Sequence, residues 1–211
     1  MRKKNLIYIG IGVAIIAIII PLAMQAQTES MSVAIRELDF TYTEANSKLQ
    51  QNLESLGISM SSPINLINQN SIEEFCTFFG EDAKQKLVEY CTSTELTDSQ
   101  GNFLGNIHMI GTRQMPKIVL VVIQTNPFMQ NIEQLKLVFE QVVDNLVCDC
   151  WEDFEPSEIK TVSDWVDKQR EFHTNDTRPT STSSVDLKGN NLQMELTTNT
   201  EGYLWKLLIY G

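Results

Sequence analysis

Lys117-Ile118-Val119-Leu120-Val121-Val122-Ile123-Gln124 is a nearly unbroken β-branched run. Such a run is what a strand buried on both faces looks like, and it sets the expected centre of a sheet. On its C-terminal side, Asn126-Pro127 reads as a helix cap with a first-turn proline. Ile132, Leu135, Val138, Phe139, Val142, Val143, Leu146 and Val147 then form the apolar stripe of the helix that should cover that sheet. A further helix is expected near Ser157, after Pro156, carrying Ile159, Val162, Trp165, Val166 and Phe172. The polar segment His173 to Ser184 reads as a loop. Leu192, Met194 and Leu196 alternate with polar residues over Asn191 to Thr197, a strand with one buried face. After a turn around Asn199 and Gly202, Tyr203 to Tyr210 reads as the last strand.

On the N-terminal side of the run, Asp98-Ser99-Gln100-Gly101 is a turn, and Asn102 to Thr112 alternates loosely as a strand. Before it, Ser71 with Glu74 makes a capping box for a helix whose face carries Ile72, Phe75, Cys76, Phe79, Ala83, Leu87 and Cys91, with a break expected at Gly80. Ala34, Leu38, Tyr42, Ala45, Leu49, Leu53 and Leu56 repeat after 11 residues, the spacing of a nearly straight helix that ends at Gly57 and Pro63. Phe40-Thr41-Tyr42-Thr43 favours strand or turn in its first half.

Arg2, Lys3 and Lys4 precede a run from Leu6 to Met24 without a charged residue. As a helix this run spans roughly 28 Å, close to the hydrocarbon thickness of a bilayer. It exceeds the apolar core of a cleavable signal, and Met24 spoils the small-x-small pattern before a cut after Ala26. The basic cluster places the N-terminus in the cytoplasm and the remainder outside. The expected division is a basic tip at 1–4, a transmembrane signal anchor at 5–25, a juxtamembrane stalk helix at 26–57 and an extracytoplasmic α+β domain at 58–211. No second apolar run follows.

Without the three residues of the basic cluster, 13 of the 16 basic residues face 27 acidic ones, so the exported part carries about −14. That charge argues against nucleic acid or anionic headgroups as partners and suits a soluble exported domain. Cys76, Cys91, Cys148 and Cys150, an even count in an oxidising compartment, read as disulfides. On one straight helix Cys76 and Cys91 would lie roughly 22 Å apart, beyond the roughly 4.4 to 6.8 Å that a disulfide allows. Cys148 and Cys150 are at most about 7 Å apart. The expected arrangement is therefore a hairpin broken at Gly80 and stapled by both of its cysteines to the loop after the helix over 132–147. The alternative for Cys148-Asp149-Cys150 is a reduced pair acting in thiol exchange or clasping Cu(I) or Zn(II).

Asp144, Asp149, Glu152, Asp153, Glu155 and Glu158 gather around that pair, but at no EF-hand spacing. A helix N-terminus accounts for Glu155 and Glu158. His108 is expected half-buried in a strand and His173 in a loop, neither with a neighbour at ligand or triad spacing. No catalytic or phosphate-binding motif occurs, and no catalytic residue or cofactor is assigned. Asn175-Asp176-Thr177 fits an N-glycosylation acceptor.

This order of elements predicts an α+β domain with one antiparallel sheet of about five strands packed by helices. It resembles, in topology alone, the extracellular Cache/PAS-like sensor modules over roughly Ala34 to Gly211. That resemblance implies binding of a small ligand or a partner protein, here without a return span to relay a signal. The leading expectation is thus an anchored extracytoplasmic binding or interaction module. The rivals are a subunit of a surface assembly self-associating through the stalk, and thiol or metal chemistry at Cys148 and Cys150. A pilin-like subunit is disfavoured, because its processing site and early glutamate are absent from Asn5 to Val13.

Overall fold

The computed structural model describes residues 35–76, 88–175 and 178–211. Their first helix, α1 (Tyr42–Ser55), starts where strand propensity and capping chemistry compete. Capping wins. The Thr41 hydroxyl accepts from the Glu44 N–H while the Glu44 carboxylate accepts from the Thr41 N–H, a reciprocal capping box. Thr41→Ala should lower stability by about 1 kcal/mol, a drop in melting temperature of roughly 2 to 4 °C readable by circular dichroism.

The helix is no free stalk. Ala45, Leu49 and Leu53 are buried in the main core, while Leu56 is exposed. The repeat expected to serve self-association is thus used within the fold.

Next come β1 (Ser59–Met60), β2 (Ile64–Leu66) and α2 (Gln69–Phe75). The cap of α2 is the Asn68 side chain, which accepts from the Ser71 N–H; the Ser71/Glu74 box is not its start. Three strands follow: β3 (Tyr90–Thr97), β4 (Phe103–Gly111) and β5 (Pro116–Thr125). Then α3 (Ile132–Leu146), the single turn α4 (Trp151–Phe154) and α5 (Val162–Asn175) lead to β6 (Thr180–Leu187), β7 (Asn190–Asn199) and β8 (Gly202–Tyr210).

Among the described residues the sheet has eight strands, not about five, in the order β1-β3-β4-β5-β8-β7-β6, with β2 also on β3 and every pairing antiparallel. This corrects the five-strand, Cache/PAS-like expectation. The additional strands lie in segments read as helix or loop: β3 begins at Tyr90, inside the expected Ser71–Cys91 helix, and β6 occupies the expected His173–Ser184 loop. Two meanders, β3-β4-β5 and β6-β7-β8, join at the β5–β8 pair, whose register runs from Ile118 opposite Tyr210 to Thr125 opposite Tyr203.

The run around Val119 is therefore central, as its apolar character requires. Gly202 opens β8 at φ +137, and a Cβ there would overlap the Thr125 carbonyl, so the close approach of the two strands depends on glycine.

The main core forms where Val119, Val121, Ile123, Trp205, Leu207 and Leu192 of the sheet meet α1, α3 and α5. All the expected α3 stripe residues from Ile132 to Leu146 are buried. The helix starts five residues after Pro127, because the Asn126 side chain caps a tight turn, accepting from the N–H groups of Phe128 and Gln130. In α5, Val162, Trp165 and Val166 are buried, whereas Phe172 faces outward beneath the Arg178 guanidinium. A smaller cluster on the opposite sheet face joins Ile72, Cys76 and Val88 to Cys91, Ile110, Ile118 and Leu120. Among the described residues no helix is long and apolar enough to cross a membrane, and the segment 5–25 lies outside them.

Candidate functional site

The helix spacing of α1 puts Tyr42, Asn46 and Gln50 on one face at successive turns. The strand period puts Tyr90, Thr92 and Thr94 on one face of β3. Where these faces meet, beside β2, they enclose a cleft of about 320 Å³, with Asn65 opposite Thr92 in the β2–β3 ladder. Met60, Ser61 and Pro63, between β1 and β2, form its rim.

The walls are held from behind. Asn46 donates to the Tyr42 carbonyl at 2.8 Å and accepts from the Thr94 hydroxyl at 3.0 Å. The Tyr42 hydroxyl donates to the Thr112 carbonyl at 2.7 Å and that of Tyr90 to the Asn65 Oδ1 at 2.7 Å. The two rings meet edge to face, centroids 4.7 Å apart.

Among the described residues no carboxylate, imidazole or cation lines this cleft, and the ionisable groups on its wall are two phenols. Burial pushes Tyr42 well above the usual range, aided by Tyr90, Glu37 and Glu89, and burial also raises Tyr90. Both are neutral at physiological pH. One wall group is anomalous: Thr92 is 1% exposed, yet its Oγ1 has no hydrogen-bond partner among the described residues. Sequence reasoning missed this site, since β3 was read as the end of a helix.

The sequence candidates fall elsewhere. Cys76 and Cys91 are bonded to each other, Cα atoms 6.7 Å apart, and Cys148 is bonded to Cys150 at 5.2 Å. The expected cross-stapling is corrected: α2 ends at Phe75 and Cys91 lies on β3, so the straight-helix separation does not arise. With both sulfurs of Cys148-Asp149-Cys150 in a disulfide, neither offers a thiolate to a metal.

Cys150 edges a second cleft of about 180 Å³, walled by Glu140, Asp144, Asp149, Glu152 and Asp153. Burial, then the charges of Asp149, Glu140 and Glu152, raise the Asp144 carboxyl to about 6. Repulsion of this kind also disfavours a thiolate there. Among the described residues no group of three or more His, Cys, Asp or Glu side chains is arranged to hold a metal ion.

His108 lies half-buried on β4, as expected, and burial lowers it to about 4. His173 is a correction. It is buried in α5, with Nδ1 2.9 Å from the Ser181 hydroxyl and Nε2 2.7 Å from the Thr198 hydroxyl. Burial, then the Arg178 charge, lowers its pKa. Gln169 donates to Ser181 and accepts from Ser183, and Ser183 accepts from the Trp165 indole. This His–Ser contact belongs to a buried network that fastens α5 to β6 and β7, and among the described residues it has no carboxylate third member. Asn175 is exposed at the end of α5, while 176 and 177 lie outside the described residues.

The chain matches no protein-family model, no curated protein and no solved structure.

Proposed function

We propose that the protein is an extracytoplasmic binding module, held at the membrane by its apolar segment 5–25, whose ligand occupies the cleft between α1 and β3. The observation that carries this reading is the cleft itself, about 320 Å³ between α1, β2 and β3, whose Tyr42, Asn46 and Tyr90 walls are braced by hydrogen bonds within the fold.

Saturation-transfer NMR of the full chain against a small-molecule library tests this reading: a saturable binder whose signal is lost in Gln50→Trp, which fills the cleft, is expected, and the absence of any such binder would overturn it. Independently of binding, Thr92→Val should be about 1 kcal/mol more stable than the parent by denaturant titration, because an orphaned buried hydroxyl is gone and the shape is kept. The location is tested separately. The full chain should stay with membranes after a carbonate wash, and protease added outside should digest the domain.

The assembly reading has less support, since the α1 stripe it needs is buried. Metal or thiol chemistry has less as well, since Cys148 and Cys150 are bonded among carboxylates.

A further inference from the structure

We infer that β6 is an interface for a second copy of this chain, the two β6 strands pairing antiparallel about a dyad at Thr182 to join the sheets of a closed pair. The inference stands apart from the cleft, which lies at the opposite edge of the sheet.

The edge is open and regular. β6 ends the strand order, and among the described residues no backbone hydrogen bond reaches Thr180–Leu187 except from β7. Lys188 and Gly189, both at positive φ, make a two-residue turn, so Leu187 and Asn190 beside it exchange both hydrogen bonds. Alternation then leaves the N–H and C=O groups of Thr180, Thr182, Ser184 and Asp186 pointing out from the edge, and all four residues are exposed. Pro179 does not interrupt them, because its carbonyl is turned inward to the Thr198 N–H. Sheet edges are ordinarily guarded by short strands, bulges or inserted charges. The opposite edge is, by β1 and β2 of two and three residues. β6 pairs with β7 over eight residues without a bulge, and its single charge is Asp186.

The register selects a second copy as the occupant. With Thr182 on the dyad, Thr180 falls opposite Ser184 and Asp186 opposite Arg178, so opposite charges meet at both ends of the ladder. A dyad at Ser183 would instead set Arg178 against Lys188. The flank of the edge agrees. Phe172 is exposed on α5, roughly 140° round the helix from Asp167, which binds Lys136 of α3. Because α5 bonds to both β6 and β7, strand pairing sets the two α5 helices about 10 Å apart, a packing distance at which each Phe172 leaves solvent.

The test uses the full chain, in detergent and in the membranes of cells that express it. Across the dyad the two Thr182 Cα atoms lie about 5.5 Å apart, within disulfide reach, whereas those of Ser184 lie roughly 13 Å apart. Thr182→Cys should therefore give a covalent dimer on mild oxidation, and the equally exposed Ser184→Cys should not. By sedimentation in detergent the unaltered chain should be dimeric at about 100 µM, the range of a small interface. Thr182→Asp, which sets like charges face to face at an exposed position, should weaken that dimer about tenfold with the circular dichroism spectrum unchanged. A dimer that Thr182→Asp leaves intact belongs to another surface, such as the apolar segment 5–25, and overturns the inference. So do equal crosslinking of Ser184→Cys, a chain that is monomeric at 100 µM or about that, and capture of a different protein by Thr182→Cys in membranes.

Discussion

Trp205→Ala should remove roughly 3 to 5 kcal/mol of stability, a large part of what a domain of this size has. Trp205 is fully buried on β8, flanked by Ile123 of β5 and Leu196 of β7, at the joint of the two meanders. Its indole N–H donates to the Thr125 hydroxyl at 3.2 Å, and that hydroxyl donates to the Tyr203 carbonyl. Truncation therefore opens a cavity in the middle of the sheet and removes a donor from a buried oxygen. The remaining side chains cannot close in, because β5 and β7 are fixed by their ladders on both sides. Denaturant titration followed by circular dichroism measures the loss. Trp205→Phe, which keeps most of the volume and removes the N–H, should lose less than half as much. Equal losses from both variants would assign the effect to the hydrogen bond instead of packing.

The same joint shows why part of the fold was legible in the sequence. Lys117 to Gln124 is buried on both faces, so nearly every residue is apolar and its place at the centre follows. The α3 stripe and the Leu192-Met194-Leu196 alternation are equally direct, because each has one wet and one dry face. The strands that escaped notice have weaker contrast. On β6 the inward residues are Ser181 and Ser183 before Val185 and Leu187. Ser181 is buried and Ser183 half-buried because Gln169, His173 and Trp165 bond to them across the layers, a long-range arrangement that no local pattern carries. On β3, Cys91 fell in phase with the helical spacing of Ile72 and Cys76. The alternation of Tyr90, Thr92 and Thr94 was the competing signal, and those threonines do not read as buried.

The candidate site was illegible for the same reason. Tyr42, Asn46, Thr92 and Tyr90 are ordinary residues, and the cleft exists only because α1 lies along β3 with β2 at its edge. The cysteines, histidines and acids that attracted attention by type have structural occupations instead. Those occupations still set how the protein responds to acid, and that response is the one through which they can be measured.

Between pH 6.5 and pH 4 two of these groups should act in opposite directions. Burial lowers His108 from 6.5 to about 4, so the unfolded chain takes up a proton that the folded chain resists. The stability that neutral His108 contributes is complete above pH 6.5 and is lost as pH falls toward 4, roughly 2 to 3 kcal/mol in all. Asp144, raised from 3.8 to about 6, has the opposite sign: its charge is unfavourable in the fold, so protonation below pH 6 relieves repulsion from Asp149, Glu140 and Glu152. Because Asp144 is half in solvent, that relief is no more than roughly 1 kcal/mol. The parent should therefore lose stability over this interval, but less steeply than His108 alone would dictate. Denaturant midpoints taken at half-unit steps separate the two: His108→Gln should flatten or reverse the slope, and Asp144→Asn should steepen it. A His108→Gln profile as steep as the parent's would transfer the acid sensitivity to His173, whose buried network with Ser181 and Thr198 holds the other imidazole that burial keeps neutral.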